Sequence, residues 1–159
     1  MDGELTGRQK KLTMDRIYNN EALLAVVILK ILESGAMDLA RLLLMTTILL
    51  DDLSRGRLEK SVNAEDFRLK MSRTSKSFNR KYREMTIIFM NAIQMLRQAG
   101  RLRYVETTSV ELVSSVSDKN FSEIQSDRMK RILSSVDIIL DKFHEVPTAT
   151  IYNQLRIQL

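Results

Sequence analysis

The sequence predicts a mainly α-helical domain with one small β-hairpin, on three observations. Apolar side chains recur at three-and-four spacing over long stretches, which stacks them on one face of a helix. A single glycine, Gly100, stands where the longest of these patterns stops. Two short β-prone runs follow: Leu102, Tyr104 and Val105, then Val110, Leu112 and Val113, with the turn-like Glu106 to Ser109 between them. A helix, a glycine stop and a hairpin are the closing parts of a winged helix-turn-helix. The expected fold is therefore a helical domain with a winged helix-turn-helix-like core, a unit able to read DNA or to dock another protein.

The elements can be justified in order. Met1 to Thr13 is polar, with Gly3 and Gly7, so residues 1–16 are expected to form a flexible tail and residues 17–159 a single domain. The first helix is expected to open near Asn19 or Asn20, a cap for orphan amides, with Glu21 set against the positive end of the dipole. From Ala22 to Leu32 nearly every side chain is apolar, the mark of a helix enclosed by others. Ser34-Gly35 ends it. A second helix is expected from Asp38, its cap, to Asp51 or Asp52, with Leu39, Leu42, Leu43, Thr46, Leu49, Leu50 and Leu53 as its buried stripe. Ser54 to Gly56 reads as the turn that follows.

Asn63-Ala-Glu-Asp66 has the composition of a helix start, and Phe67, Leu69 and Met71 extend it into a short helix before a loop of serines and basic residues. The longest helix is expected from Asn79, with Met85, Ile88, Phe89, Ala92, Leu96 and Ala99 on one face. Ser117 to Ser122 reads as a polar connection. Asp127 to Phe143 reads as one amphipathic helix, ended by Pro147, and Thr148 as the cap of a last helix, Ala149 to Leu155.

Composition limits the chemistry. Hydrophobic residues make up 44% of the 159 residues, enough for a core, and cysteine is absent. Disulfides, thiolate zinc sites and cysteine nucleophiles are thereby excluded, and a reducing cytoplasm is the expected compartment. The apolar runs Ala22–Leu29 and Leu42–Leu50 fall short of the roughly 20 residues of a membrane span, so no membrane association is expected. The one histidine, His144, reads as a helix C-terminal residue beside free carbonyls. Asp51, Asp52 and Glu59 can gather around magnesium in principle, but acids at a helix end are ordinarily solvated. The glycines are scattered and form no phosphate-binding loop. No catalytic, cofactor-binding or metal site is expected, and the chain reads as non-enzymatic.

The formal charge of +5 is concentrated. Arg68, Lys70, Arg73, Lys76, Arg80, Lys81 and Arg83 fall in a window with no acid, and removing these seven leaves 5 − 7 = −2 for the rest. This window leads into the longest helix, and Arg101 and Arg103 sit at the base of the hairpin. These nine cations are the candidate contacts for DNA or an acidic partner. The turn Glu106 to Ser109 carries no cation, however, and the helix is rich in Met, Ile and Phe. Met85, Met90 and Met95 step by five around the helix and are the candidate protein-binding residues.

The run Ile17-Tyr-Asn-Asn-Glu-Ala-Leu-Leu-Ala-Val-Val-Ile-Leu29, then Leu39 to Leu50, resembles the middle component of bacterial three-component ABC systems. So do Asn91 to Gly100, Met129 to Phe143, and the closing Ile151-Tyr-Asn-Gln-Leu155. The resemblance covers residues 17–159 and rests on apolar patterns. It departs where many members carry Pro and then His in the second segment, since Thr47 and Asp51 stand there. It implies an adaptor of winged-helix character that bridges an ABC-type ATPase and an effector in defence against phage or plasmids, with a homodimer as a further expectation. The alternative from the residues alone is a winged-helix DNA-binding regulator using residues 68–83.

Overall fold

Leu42 to Leu49 are eight consecutive buried residues, so the helix that carries them is enclosed on every side. The computed structural model describes residues 7–115 and 126–158, with side chains described from Asn20 onward. The chain is mainly helical with a small three-stranded antiparallel sheet. Its elements are α1 (Gly7–Leu32), β1 (Met37–Asp38), α2 (Leu39–Leu50), α3 (Asp52–Glu59), α4 (Ala64–Met71), α5 (Ser75–Gln98), β2 (Leu102–Val105), β3 (Ser109–Leu112), α6 (Asp127–Ser134), α7 (Val136–Phe143) and α8 (Thr148–Gln154).

The enclosed helix is α2. Its start follows the capping rule: Asp38 accepts hydrogen bonds from the amides of Ala40 (2.9 Å) and Arg41 (3.3 Å). α1, α5, α3 and β1 pack around it, and their buried residues form one continuous core with those of α6, α7 and α8. Phe67 of α4 meets Phe143 of α7 edge to face, ring centres 5.8 Å apart.

Several boundaries differ from the sequence reading. α1 begins at Gly7, not near Asn19 or Asn20, so residues 7–16 are helical instead of tail. Gln, Lys, Leu, Met and Arg there are good helix formers, and each interior Asn costs at most about 0.7 kcal/mol. Ser54 to Gly56 lie within α3, not in a turn, because Asp51 ends α2 and at once caps α3 through the Ser54 amide at 3.1 Å. The expected loop after α4 is a 3-10 turn, Ser72–Thr74, that runs directly into α5 at Ser75. Phe89, Ala92 and Leu96 are buried on α5 as expected, whereas Ala99 is exposed.

Asp127 to Phe143 is two helices, α6 and α7, broken at the buried Ser135. The Ser135 hydroxyl donates to Glu59 Oε1 at 2.6 Å, and its amide bonds Ile132 three residues back, tightening the chain there. Pro147, not Thr148, occupies the cap position of α8. Ser117 to Ser122 lie outside the described residues. The hairpin is present, and it has a third strand that the sequence reading missed. Met37 pairs with Val110 and Asp38 with Ser109, giving the order β1-β3-β2.

Leu44, fully enclosed in α2, tests this centre. Leu44→Ala should lower stability by about 2–5 kcal/mol, read as a fall in the urea midpoint without a change in slope.

Candidate functional site

α5 and the hairpin after it form the surface on which most of the candidate residues fall. The helix stops in a Schellman arrangement. Gly100 takes φ +68°, its amide bonds the Arg97 carbonyl at 2.9 Å, and the Arg101 amide reaches back to Leu96 at 2.9 Å. That geometry turns the chain into β2. The hairpin is then held from three sides. Val113 donates to the Arg101 carbonyl at 2.9 Å, Leu39 at the head of α2 donates to Thr108 at 2.8 Å, and the Arg97 guanidinium lies 4.7 Å from the centre of the Tyr104 ring.

The seven-cation window does not form one patch. Arg68 pairs with Glu65, and Lys70 with Asp66 at 2.6 Å, each within α4. Lys81 turns inward to Asp51 at 2.5 Å, fastening α5 to the junction of α2 and α3. Arg80 stands 3.9 Å from Glu84, both exposed, a contact of little energetic weight. Arg73, Lys76 and Arg83 have no acidic partner among the described residues. Arg101 is exposed, and Arg103 pairs across the hairpin with Glu111 at 2.6 Å.

Lys76, Arg80, Arg83, Ile87, Met90, Asn91 and Gln94 share the exposed face of α5. Ile87 is 70% exposed, Met90 46% and Met95 43%. Met85 lies elsewhere, half-buried against the core in a small cleft with Leu23, Leu50 and Ile88. The helix thus has two characters that its overall composition hides. Its Phe and most of its Ile point inward. Asn91 and Gln94, which the sequence reading did not single out, are exposed on the outward face, Asn91 donating to Glu21 Oε1 at 3.3 Å.

The acids weighed as magnesium ligands have cationic partners. Arg55 holds Asp52 at 2.6 Å and stands 3.8 Å from Glu59, while also donating to the Leu49 carbonyl at the end of α2. No group of three or more metal-ligating side chains comes together among the described residues. His144 is exposed at the end of α7, at the edge of an open groove with Asp38, Arg41 and Asp141. Its imidazole makes no hydrogen bond among the described residues. No helix among them is long and apolar enough to cross a membrane. No protein-family model, curated protein or solved structure matches the chain.

Partial burial pushes the Asp51 carboxyl up, but hydrogen bonds from Lys81 and Ser54 outweigh it and hold it below the usual carboxylate range. A carboxylate so depressed adds its full stabilisation above its unfolded pKa of about 3.9 and loses it as pH falls through the lower folded value. The stability difference between the wild type and Asp51→Asn should therefore be largest above about pH 5 and shrink below about pH 4. Urea denaturation across that range measures it. A difference that does not vary with pH would detach Asp51 from acid stability.

Proposed function

We propose that the chain is a non-enzymatic adaptor subunit with a winged-helix core, bridging an ABC-type ATPase and an effector in a bacterial defence system and working in the cytoplasm. One observation carries the protein-docking part of this reading. Ile87 and Met90 stand exposed, one turn apart, in the middle of the outward face of α5. In a winged helix that face is the one offered to a partner, and exposed aliphatic and thioether groups there favour protein over base edges. The order β1-β3-β2, with β1 running straight into α2, fits the winged-helix part. The ATPase and effector are proposed from the resemblance of the apolar segments. A second copy of the chain is a further partner that the same face can accept.

A specific observation also favours the second reading, a DNA-binding regulator. Arg80 and Arg83 share the outward face with Asn91 and Gln94, and amide side chains of this type pair with adenine in the major groove. The hairpin is less suited to it. Its one strand cation, Arg103, is paired with Glu111, and its turn carries Glu106 at φ +66° with no cation.

Two measurements separate the readings. If a neighbouring gene encodes the ABC-type ATPase that the resemblance implies, Ile87→Asp combined with Met90→Asp should abolish salt-resistant co-purification with it, with no change in the circular dichroism spectrum. Retention of the complex would overturn docking on α5. For DNA, fluorescence polarisation with labelled duplex across a salt series should give a log–log slope of about −3.6 if four cations meet phosphates. A flat, weak signal at low salt excludes the regulator.

A further inference from the structure

The α5 face leaves a second cationic region of the molecule unexplained. Arg57 and Lys60 of α3 and its C-terminal cap, with Leu69, Lys70 and Arg73 of α4 and the turn after it, line an open groove. Only Lys70 is paired with an acid: its ammonium lies 2.6 Å from Asp66 and 2.7 Å from the Lys60 carbonyl, closing one wall. Arg57 reaches across to the Thr74 hydroxyl and to the Met71 sulfur at 3.8 Å, which braces α3 against the turn. Neither Arg57, Lys60 nor Arg73 has an acidic partner among the described residues. The groove therefore carries four cations against one carboxylate.

Its apolar content decides what kind of anion fits. Leu69 is 55% exposed among these cations. Arg73 follows Leu69 by four residues across the end of α4, so the exposed leucine sits between Arg73 and the Arg57 and Lys60 side of the groove; Leu53, also exposed one turn before Arg57, is not part of the lining. A phosphate backbone pairs with the cations but leaves Leu69 in water. An acidic segment with aliphatic side chains meets both.

We propose that this groove docks an acidic protein segment whose carboxylates meet Lys60, Arg57 and Arg73 and whose aliphatic side chains cover Leu69. The proposal rests on the adaptor reading, because a bridging subunit needs a second docking surface besides the outward face of α5. It assigns that surface and the chemistry of its partner.

The test uses the full chain and a fluorescein-labelled peptide of Glu and Asp interrupted by Leu, with polarisation read at low and high salt. A peptide with every Leu replaced by Ser and a duplex DNA serve as competitors. The Leu peptide should bind. Lys60→Glu with Arg73→Glu should weaken it about tenfold or more. Leu69→Ser should weaken it about fivefold, and the Ser peptide should compete correspondingly poorly. Lys76→Glu with Arg83→Glu, on α5, should leave peptide binding unchanged. All substituted residues are at the surface, and unchanged thermal melts verify folding. No binding of the Leu peptide at low salt, equal binding of the Ser peptide, or stronger competition by duplex DNA would each overturn the proposal. Loss of the ATPase complex in the Ile87→Asp, Met90→Asp variant with peptide binding intact would support it. No binding of the Leu peptide by the wild-type chain while its ATPase complex forms would sink the groove alone.

Discussion

A helix buried on every side keeps only the polar groups it can satisfy at close range, and α2 imposes that condition on everything around it. Along its length the Thr46 hydroxyl donates to the Leu42 and Leu43 carbonyls and the Thr47 hydroxyl to Leu43, so two polar residues sit in the core without an outside partner. At its ends the partners come from elsewhere in the fold. The Ala40 carbonyl takes the Tyr152 hydroxyl at 2.6 Å, and the Leu49 carbonyl takes Arg55 at 2.7 Å. Arg41 at the start of α2 donates to Val146 at 2.8 Å and also to Phe143, so it caps α7 and fixes the approach to α8. Burying α2 thus dictates where α3, α7 and α8 lie.

Much of this was legible in the sequence. The burial of α2 was legible from its apolar residues, although it was expected as one stripe that included Leu53, which is exposed on α3; the caps Asp38 and Asn63 and the stop at Gly100 all lie where local chemistry asks for them. The misses fall into two kinds: local boundaries, as at Gly7 and Ser54 to Gly56, and long-range partners. Those that local chemistry does not explain depend on a partner far away in sequence. Ser135 breaks a helix that periodicity joins because Glu59 takes its hydroxyl, and β1 is two residues long and exists only by pairing with β3. Asp51 was visible as a helix end, but its double duty as cap and as the partner of Lys81 was not.

The site was legible in outline and altered in detail. Seven cations that form one block in sequence go four ways in space: into ion pairs on α4, into the groove beside the turn after it for Arg73, inward to Asp51, and outward on α5. Sequence proximity sets net charge but not the direction in which successive side chains leave a helix. The same geometry gives α5 an apolar inner face, as its spacing predicted, and a mixed outer one of cations, amides, Ile87 and Met90. Arg57 and Lys60 were outside the acid-free window, and only folding brings them against Leu69 and Arg73.

The Tyr82–Tyr152 pair also bears on the order in which the fold can be completed. The two hydroxyls lie 2.6 Å apart with the rings edge to face, and Asn79 bonds the Arg156 carbonyl at 2.8 Å and the Gln158 amide at 3.1 Å. These contacts join residues 70 or more positions apart, so α2 and α5 leave the ribosome long before α8. Until then the apolar surface that Ile151 and Leu155 cover stands open to water. Until α8 emerges and seals the core, the nascent chain exposes apolar surface of the kind that holding chaperones bind, and pausing of translation within residues 99–147 would lengthen that exposure.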